Sequence, residues 1–201
     1  MNPPWLFRHN SLNVADIVPS TEVEGPGKRF ALWVQGCPKR CPGCCNPEMQ
    51  IFEEKSWVPV RSLVNQIQKF EGEVEGITLV GGEPFCQAGG AGQLCVEVKK
   101  MGLGILVFTG FRYETLKKWA KSDPDILLFL QNIDLLIDGP FLEEKKSEKR
   151  CYIGSDNQEV HYLSERYKHF EGCWPTGDGA IEIRFDGENI VINGHPRPSI
   201  F

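Results

Sequence analysis

The sequence predicts an α/β fold built on a parallel sheet. Short apolar runs alternate with segments whose apolar residues recur at helical spacing. Each apolar run also stops at a polar or glycine-rich loop, the layout of consecutive βα units. Near the end of the chain, Asp186–Gly187 separates two alternating runs, which predicts a β-hairpin over 180–194. The 201 residues contain no internal repeat, low-complexity tract or linker, so a single domain over 1–201 is expected.

In chain order, "RFALWVQG" (29–36) is short, apolar and closed by Gly, and predicts a buried strand. "VPVRSLVNQIQKFEG" places Val60, Leu63, Val64, Ile67 and Phe70 on one helical face. "GITLVGGEP" (76–84) predicts a second strand, and "QLCVEVKKMG" a helix closed by Gly102. "GILVFTG" and "YETLKKWAKSD" repeat the strand–helix pattern, and "IDLLIDGPF" (133–141) predicts a fourth strand. "RCYIGSDNQ" (150–158) is a candidate for a fifth short strand. In the terminal hairpin, the alternation of "IEIRF" and "NIVIN" predicts half-buried strands, with His195 its one candidate for chemistry. In folds of this kind the chemistry sits at the carboxyl ends of strands. The cysteine loop, GGEP, TGF and DGPF loops are therefore expected on one face.

Composition narrows the function. A formal net charge of −5 and a pI near 5.5 argue against a nucleic-acid partner. No apolar run reaches the ~20 residues of a membrane helix, and the start "MNPPWLFRHNSLN" lacks the layout of a signal peptide. A cytoplasmic protein is expected. Eight cysteines in such a chain point to a metal or a cluster rather than to disulfides.

Four of the eight lie in the loop 36–48, "GCPKRCPGCCNPE". Cys37, Cys41 and Cys44 have the spacing C-x3-C-x2-C. Structural zinc wants four ligands, usually in paired knuckles, and no second C-x2-C or H-x3-H pair follows; His161 and His169 are eight apart. Three thiolates in one loop suit three irons of a cubane cluster and leave the fourth iron open. Cys45 is read as a small buried hydrophobe. Cys86, Cys95, Cys151 and Cys173 are scattered, most of them expected as core thiols, with a second cluster as the alternative.

These residues resemble the radical S-adenosylmethionine superfamily, and among its branches the glycyl-radical-enzyme activating enzymes. "VEGPGKRFALWVQGC" (23–37) is similar to that branch. "CPKRCPGCCNPE" is similar to the activating subunit of anaerobic ribonucleotide reductase, including Gly43 where much of the superfamily has an aromatic residue. "VGGEPFCQ", "VFTGFRYETL", "DLLIDGPF" and "GSDNQ" follow in the same order, so that the resemblance runs from about residue 15 to 195.

The resemblance implies an incomplete parallel (β/α)6-type partial TIM barrel with a C-terminal β-hairpin. It implies one 4Fe–4S cluster on Cys37, Cys41 and Cys44, S-adenosylmethionine on the open iron, and a monovalent cation as a further ligand. Gly81, Gly82, Glu83 and Pro84 would bind the methionine amino group, and Gly43 and Cys45 would lie beside adenine. Thr109 ends the third strand among the cofactor residues. Asp138 is either a turn residue before Gly139–Pro140 or a group near the ribose or the methionyl carboxylate.

The implied partners are a large glycyl radical enzyme, above all anaerobic ribonucleotide reductase, and a flavodoxin- or ferredoxin-like electron donor. Two rivals stand beside this reading: the same chemistry on another protein or peptide, and a non-catalytic iron–sulfur or zinc protein. "GPGKR" (25–29) is read as a backbone-shaping turn, and "EEKKSEKR" (143–150) as a solvated face or a partner contact.

Overall fold

The structure is a computed structural model and describes residues 9–194 apart from 148, 178 and 188. Seven strands form one sheet: β1 (Ser11–Thr21), β2 (Arg29–Val34), β3 (Trp57–Pro59), β4 (Gly76–Gly81), β5 (Gly104–Thr109), β6 (Leu135–Asp138) and β7 (Glu159–Tyr162). Their spatial order is β3-β1-β2-β4-β5-β6-β7. The four central strands, β2, β4, β5 and β6, run parallel. The expected parallel core is therefore present, but antiparallel strands flank it. β1 runs antiparallel to β2 and to β3, and β7 antiparallel to β6.

β1 does not stand out in the sequence because its apolar residues do not alternate. Register shifts between Val14 and Asp16 and between Val18 and Thr21 change which side chains face inward. The candidate strand 150–158 is turn and loop with isolated antiparallel bridges at Arg150 and Ser155, and β7 starts immediately after it.

Four helices pack on one face of the sheet: α1 (Val60–Gln68), α2 (Ala88–Lys100), α3 (Tyr113–Trp119) and α4 (Pro124–Asn132). They enclose the main core with Leu12, Phe30, Leu32, Ile77, Leu79, Ile105, Val107 and Leu136. α1 buries Val60, Leu63 and Ile67 at the predicted spacing. α2 starts earlier than its helical pattern, through Ala88–Gly92. There a side chain on Gly90 would collide with the Ser11 carbonyl, and one on Gly92 would crowd the Phe129 backbone. These glycines trade helix propensity for close approach to β1 and α4. Gly102 takes a left-handed φ of 72° just past α2, the predicted stop.

The opposite face of the sheet packs against other segments. Leu106, Leu135 and Ile137 meet Ile153 and Tyr167, and Ala31 and Trp33 meet Val18 and Met49. No residue of α1–α4 belongs to these two clusters. The hairpin β8 (Ile181–Asp186) and β9 (Asn189–Gly194) forms a separate two-stranded sheet, as predicted. His195 lies outside the described residues.

Candidate functional site

The cysteine loop leaves the carboxyl end of β2 and is held at both ends. Gly36 N–H donates to the Met49 carbonyl at 2.8 Å, and Cys37 N–H to Gln50 at 3.2 Å. The Gln35 amide donates to the carbonyls of Glu48 (3.1 Å) and Ile51 (2.7 Å). Gln50 reaches the Cys41 carbonyl at 3.4 Å. Gln87 ties the base of the loop to the sheet, donating to the Gln35 carbonyl at 3.0 Å and accepting from Asn13 N–H at 2.7 Å. Within the loop, Arg40 and Gly43 adopt left-handed φ of 52° and 69°. A non-glycine residue there marks a tightly constrained turn.

Cys37, Cys41 and Cys44 all line one cavity of about 680 Å³, together with Gly43 and Cys45. Such a volume is within the ~300–1,000 Å³ typical of small-molecule sites. The far wall comes from the other strand ends: Val80, Gly81 and Gly82 after β4, Phe108, Thr109 and Gly110 after β5, and Gly139 after β6. The motif loops thus converge at one end of the parallel strands.

The thiols are unlike one another. A hydrogen bond from the Cys45 thiol brings the Cys44 thiol down to about 6, so it is readily a thiolate, the form that ligates metal. Burial pushes the Cys37 thiol up to about 11, a shift that a bound cation reverses. Cys45 is exposed at the cavity wall, not buried as expected. Of the scattered cysteines only Cys95 is fully buried; Cys86 and Cys151 are half-buried and Cys173 is exposed.

Among the described residues, no three cysteine sulfurs lie within 4.8 Å of one another. A single tetrahedral zinc with ~2.3 Å Zn–S bonds draws its sulfurs to roughly 3.8 Å. Three thiols spread around a roomy cavity fit a cubane cluster better than one ion.

Gly81 and Gly82 serve the protein's own backbone as much as any ligand. A side chain on Gly82 would meet the Gly36 carbonyl oxygen at 2.5 Å, and one on Gly81 would meet Val34 backbone at 2.9 Å. Gly82 N–H donates to Val34 (2.7 Å) and Glu83 N–H to Gly36 (2.9 Å), locking the end of β4 to the root of the cysteine loop.

Glu83 and Pro84 are buried and do not line the cavity. The Glu83 carboxylate accepts from Phe85 N–H (3.0 Å), the Thr109 hydroxyl (2.8 Å) and Gly110 N–H (2.8 Å). It clamps the end of β5, and burial raises its pKa to about 7. Thr109 faces the cavity through this clamp.

Asp138 lies outside the cavity lining while its neighbour Gly139 is part of it. Its carboxylate accepts from Tyr113 N–H at 2.6 Å, sits 3.2 Å from His161 Nε2 and is 3.4 Å from Arg112. These partners outweigh burial and lower its pKa.

The structure also brings in residues that motif reading does not single out. Lys39 lines the cavity and places its ammonium 4.2 Å over the Phe111 ring. Glu143 packs against Gly43, and Lys146 reaches the cavity, so the charged run 143–150 is not a purely solvated face. Tyr152, at a left-handed φ of 62°, and Gln158 complete that side. Glu24 and the β9 residues Val191–Gly194 close another wall. All of these sit inside stretches given above, Lys39 in the cysteine loop and Glu24 in "VEGPGKRFALWVQGC" among them; what the sequence does not show is that packing brings their side chains to the cavity.

Residues 23–161, about two-thirds of the chain, match the model of a family described as "4Fe-4S single cluster domain". The chain belongs to that 4Fe–4S family. The matched span contains the three cysteines and every strand end of the cavity, while the hairpin lies beyond it. Three curated relatives sharpen the kinship. The anaerobic ribonucleoside-triphosphate reductase-activating protein of Escherichia coli K12 is 29% identical over 166 residues, covering 76% of this chain and 99% of the relative. The protein of that name from Enterobacteria phage T4 is 29% identical over 173 residues, covering 81% and 98%. The pyruvate formate-lyase-activating enzyme of Staphylococcus epidermidis is 39% identical over 92 residues, covering 43% and 37%. The resemblance to glycyl-radical-enzyme activating enzymes is borne out.

Proposed function

We propose that this chain is a radical S-adenosylmethionine activase that installs a glycyl radical on a separate enzyme, foremost an anaerobic ribonucleoside-triphosphate reductase. The observation that carries the reading is the meeting of Cys37, Cys41 and Cys44 with the ends of β4 and β5 around one cavity, within the span that matches the 4Fe–4S family. We read the central sheet, helix-covered on one face only, as part of an incomplete (β/α) barrel.

The donor set fits the group. Cys37, Cys41 and Cys44 would hold three irons, and the rest of the cavity would accommodate S-adenosylmethionine on the fourth. When bound, the cluster would supply, from an external one-electron donor, the reductive cleavage of S-adenosylmethionine that leads to hydrogen-atom abstraction from the partner's glycine.

The chain's own residues position these parts. Backbone at Gly82 and Gly110 presents the strand ends to the methionyl portion. Glu83 acts from behind the wall by fixing the Thr109 hydroxyl and Gly110 N–H, rather than by meeting the ammonium group. Gly43 and Cys45 provide a backbone edge for adenine, and Val80 and Phe108 supply apolar wall that excludes water. Asp138 orients Arg112 and the start of α3. Its carboxylate is already engaged by Tyr113 N–H, Arg112 and His161, so we place no monovalent cation on it. A flavodoxin- or ferredoxin-like protein is the proposed electron donor.

The test is anaerobic incubation of the iron-loaded protein with the reductase of its own genome, S-adenosylmethionine and a reductant. A glycyl doublet in the EPR spectrum of the reductase is expected. Cleavage of S-adenosylmethionine with no radical on any glycyl radical enzyme would move the target to another protein or peptide.

A further inference from the structure

The terminal hairpin is built inside out. Half-buried strands ordinarily turn their apolar face to the body and their polar face to water. Here the polar side is bonded inward. Arg184 donates to the Ser20 carbonyl at 2.7 Å and to Asn193 Oδ1 at 2.6 Å. Glu182 accepts from Glu22 N–H at 2.7 Å. Asn193 donates to Thr21 Oγ1 at 2.9 Å, and Glu24 accepts from Gly194 N–H at 2.8 Å. Ile183 is paired with Ile192 across the strands and Phe185 with Ile190, so all four share the other face. They are 53%, 50%, 78% and 62% exposed. They are four of the seven large apolar residues exposed among those described. A cluster of this kind on a chain of net charge −5 marks a surface that something covers.

We propose that this face is the docking surface for the glycyl radical enzyme and that it guides the glycine-bearing segment of that enzyme into the cavity. The inference rests on the activase reading above. Three observations favour a protein substrate as the occupant. The face is continuous with the site, because Ile192 belongs both to the exposed apolar set and to the cavity wall. The hairpin lies beyond the residues that match the 4Fe–4S family, so the shared cluster-binding unit ends before it. The polar bonds from β8 and β9 to residues 20–24 hold the face in a fixed direction at the cavity edge. An apolar patch held rigidly at an active-site rim suits recognition of a macromolecule, whose contact must extend past the reacting atom.

The test uses the full chain, loaded with iron, carrying Phe185→Ser and Ile190→Ser together. Both side chains are exposed and neither lines the cavity. Iron content and S-adenosylmethionine cleavage without the reductase should equal wild type. The reductase concentration giving half-maximal glycyl radical should rise about tenfold or more, as loss of interface anchors produces, with the rate at saturation preserved. An unchanged concentration dependence, in a preparation whose wild type does activate the reductase, overturns the docking proposal and leaves the activase reading intact. A wild type that cleaves S-adenosylmethionine but makes no glycyl radical overturns both. Two further outcomes would also overturn the proposal. One is a wild-type dimer, seen by sedimentation, that the double variant dissolves with no effect on activation, which would give the face to a second copy. The other is loss of activation on removing residues 195–201 while the double variant still activates normally, which would give docking to the tail.

Discussion

The two ends of the same four parallel strands have opposite character. At the amino ends, Arg29 is fully buried and every direction of its guanidinium is answered: Thr78 Oγ1 at 3.2 Å, Tyr167 hydroxyl at 2.6 Å, the Gly104 carbonyl at 3.3 Å, and close contacts with Glu75 and the Ile77 carbonyl. Tyr167 in turn donates to Glu75, and Arg166 closes the group from outside. Gly76 and Gly104 begin β4 and β5 there because a side chain on either would strike the Gly104 carbonyl or the Tyr167 hydroxyl at 2.1 Å. At the carboxyl ends, the cysteine loop and the backbones of Gly82 and Gly110 surround an open cavity. A matched polar network serves stability, and thiols aimed into a cavity serve a ligand. The end of β6 is the exception on its side, since Asp138 is as fully partnered as the amino-end network.

The comparison predicts that changes at the carboxyl end abolish function with little effect on folding, and that changes at the amino end do the reverse. The largest effect should come from Cys37→Ala, Cys41→Ala or Cys44→Ala. Each should eliminate the catalytically competent cluster and glycyl radical formation, read as iron content and EPR. Cys45→Ala should keep its iron. Iron lost in Cys45→Ala but kept in Cys44→Ala would mean that the register of the ligands is wrong.

Next is Arg29→Met. Removing the buried guanidinium leaves Glu75 and Tyr167 without their central partner and should lower stability by about 2–4 kcal/mol. Affinity for S-adenosylmethionine in the folded fraction should be unchanged. Denaturant unfolding and isothermal titration read the two separately, and a large affinity loss without destabilisation would erase the contrast between the ends.

Asp138→Asn is intermediate. The amide keeps the shape but weakens charge-assisted bonds to Tyr113 N–H and Arg112, so stability should fall by roughly 1–2 kcal/mol. Iron content and S-adenosylmethionine cleavage should remain. A tenfold drop in cleavage would return Asp138 to the cofactor site.

The smallest effect concerns pH. Burial raises both Glu24 and Glu83 from 4.5 to about 7. Over that interval the folded state holds more protons than the unfolded state, so stability should fall as pH rises from about 4.5 to 7. Glu24→Gln keeps an acceptor for Gly194 N–H but removes one titration. It should flatten the decline of the cluster-free protein, by roughly 1–2 kcal/mol across the interval. An identical slope in the variant would remove Glu24 from the balance.

How much of this was legible in the sequence follows from the range of the interactions. The cysteine loop and the hairpin turn are encoded by residues a few positions apart, and both stand where the spacing of Cys37, Cys41 and Cys44 and the Asp186–Gly187 pair put them. α4 was not read from the sequence although its cap is local: the Asp123 carboxylate accepts from Asp125 and Ile126 N–H at 3.0 and 3.1 Å, with Pro124 at the first helical position. β1 was hidden by register shifts that only pairing with β2 reveals. The direction of a side chain at a strand end was not legible at all. Glu83 and Asp138 both sit in loops of the right kind, yet Glu83 turns behind the wall and Asp138 away from the cavity, because Thr109, Gly110, Tyr113 and Arg112 come from distant turns to meet them. The hairpin shows the same limit. Alternation in "IEIRF" and "NIVIN" separates two faces but does not say which is covered, and the polar groups of residues 20–24 decide it.

The central claim is that the open carboxyl end holds one cluster with three protein ligands and one free iron that takes S-adenosylmethionine. The most direct measurement is EPR of the anaerobically purified, reduced protein before and after adding S-adenosylmethionine, with metal and sulfide analysis of the same sample. About four irons and four sulfides per chain are expected, with a cluster signal that changes when S-adenosylmethionine is added. Zinc without iron, or a cluster signal indifferent to S-adenosylmethionine, would contradict the claim.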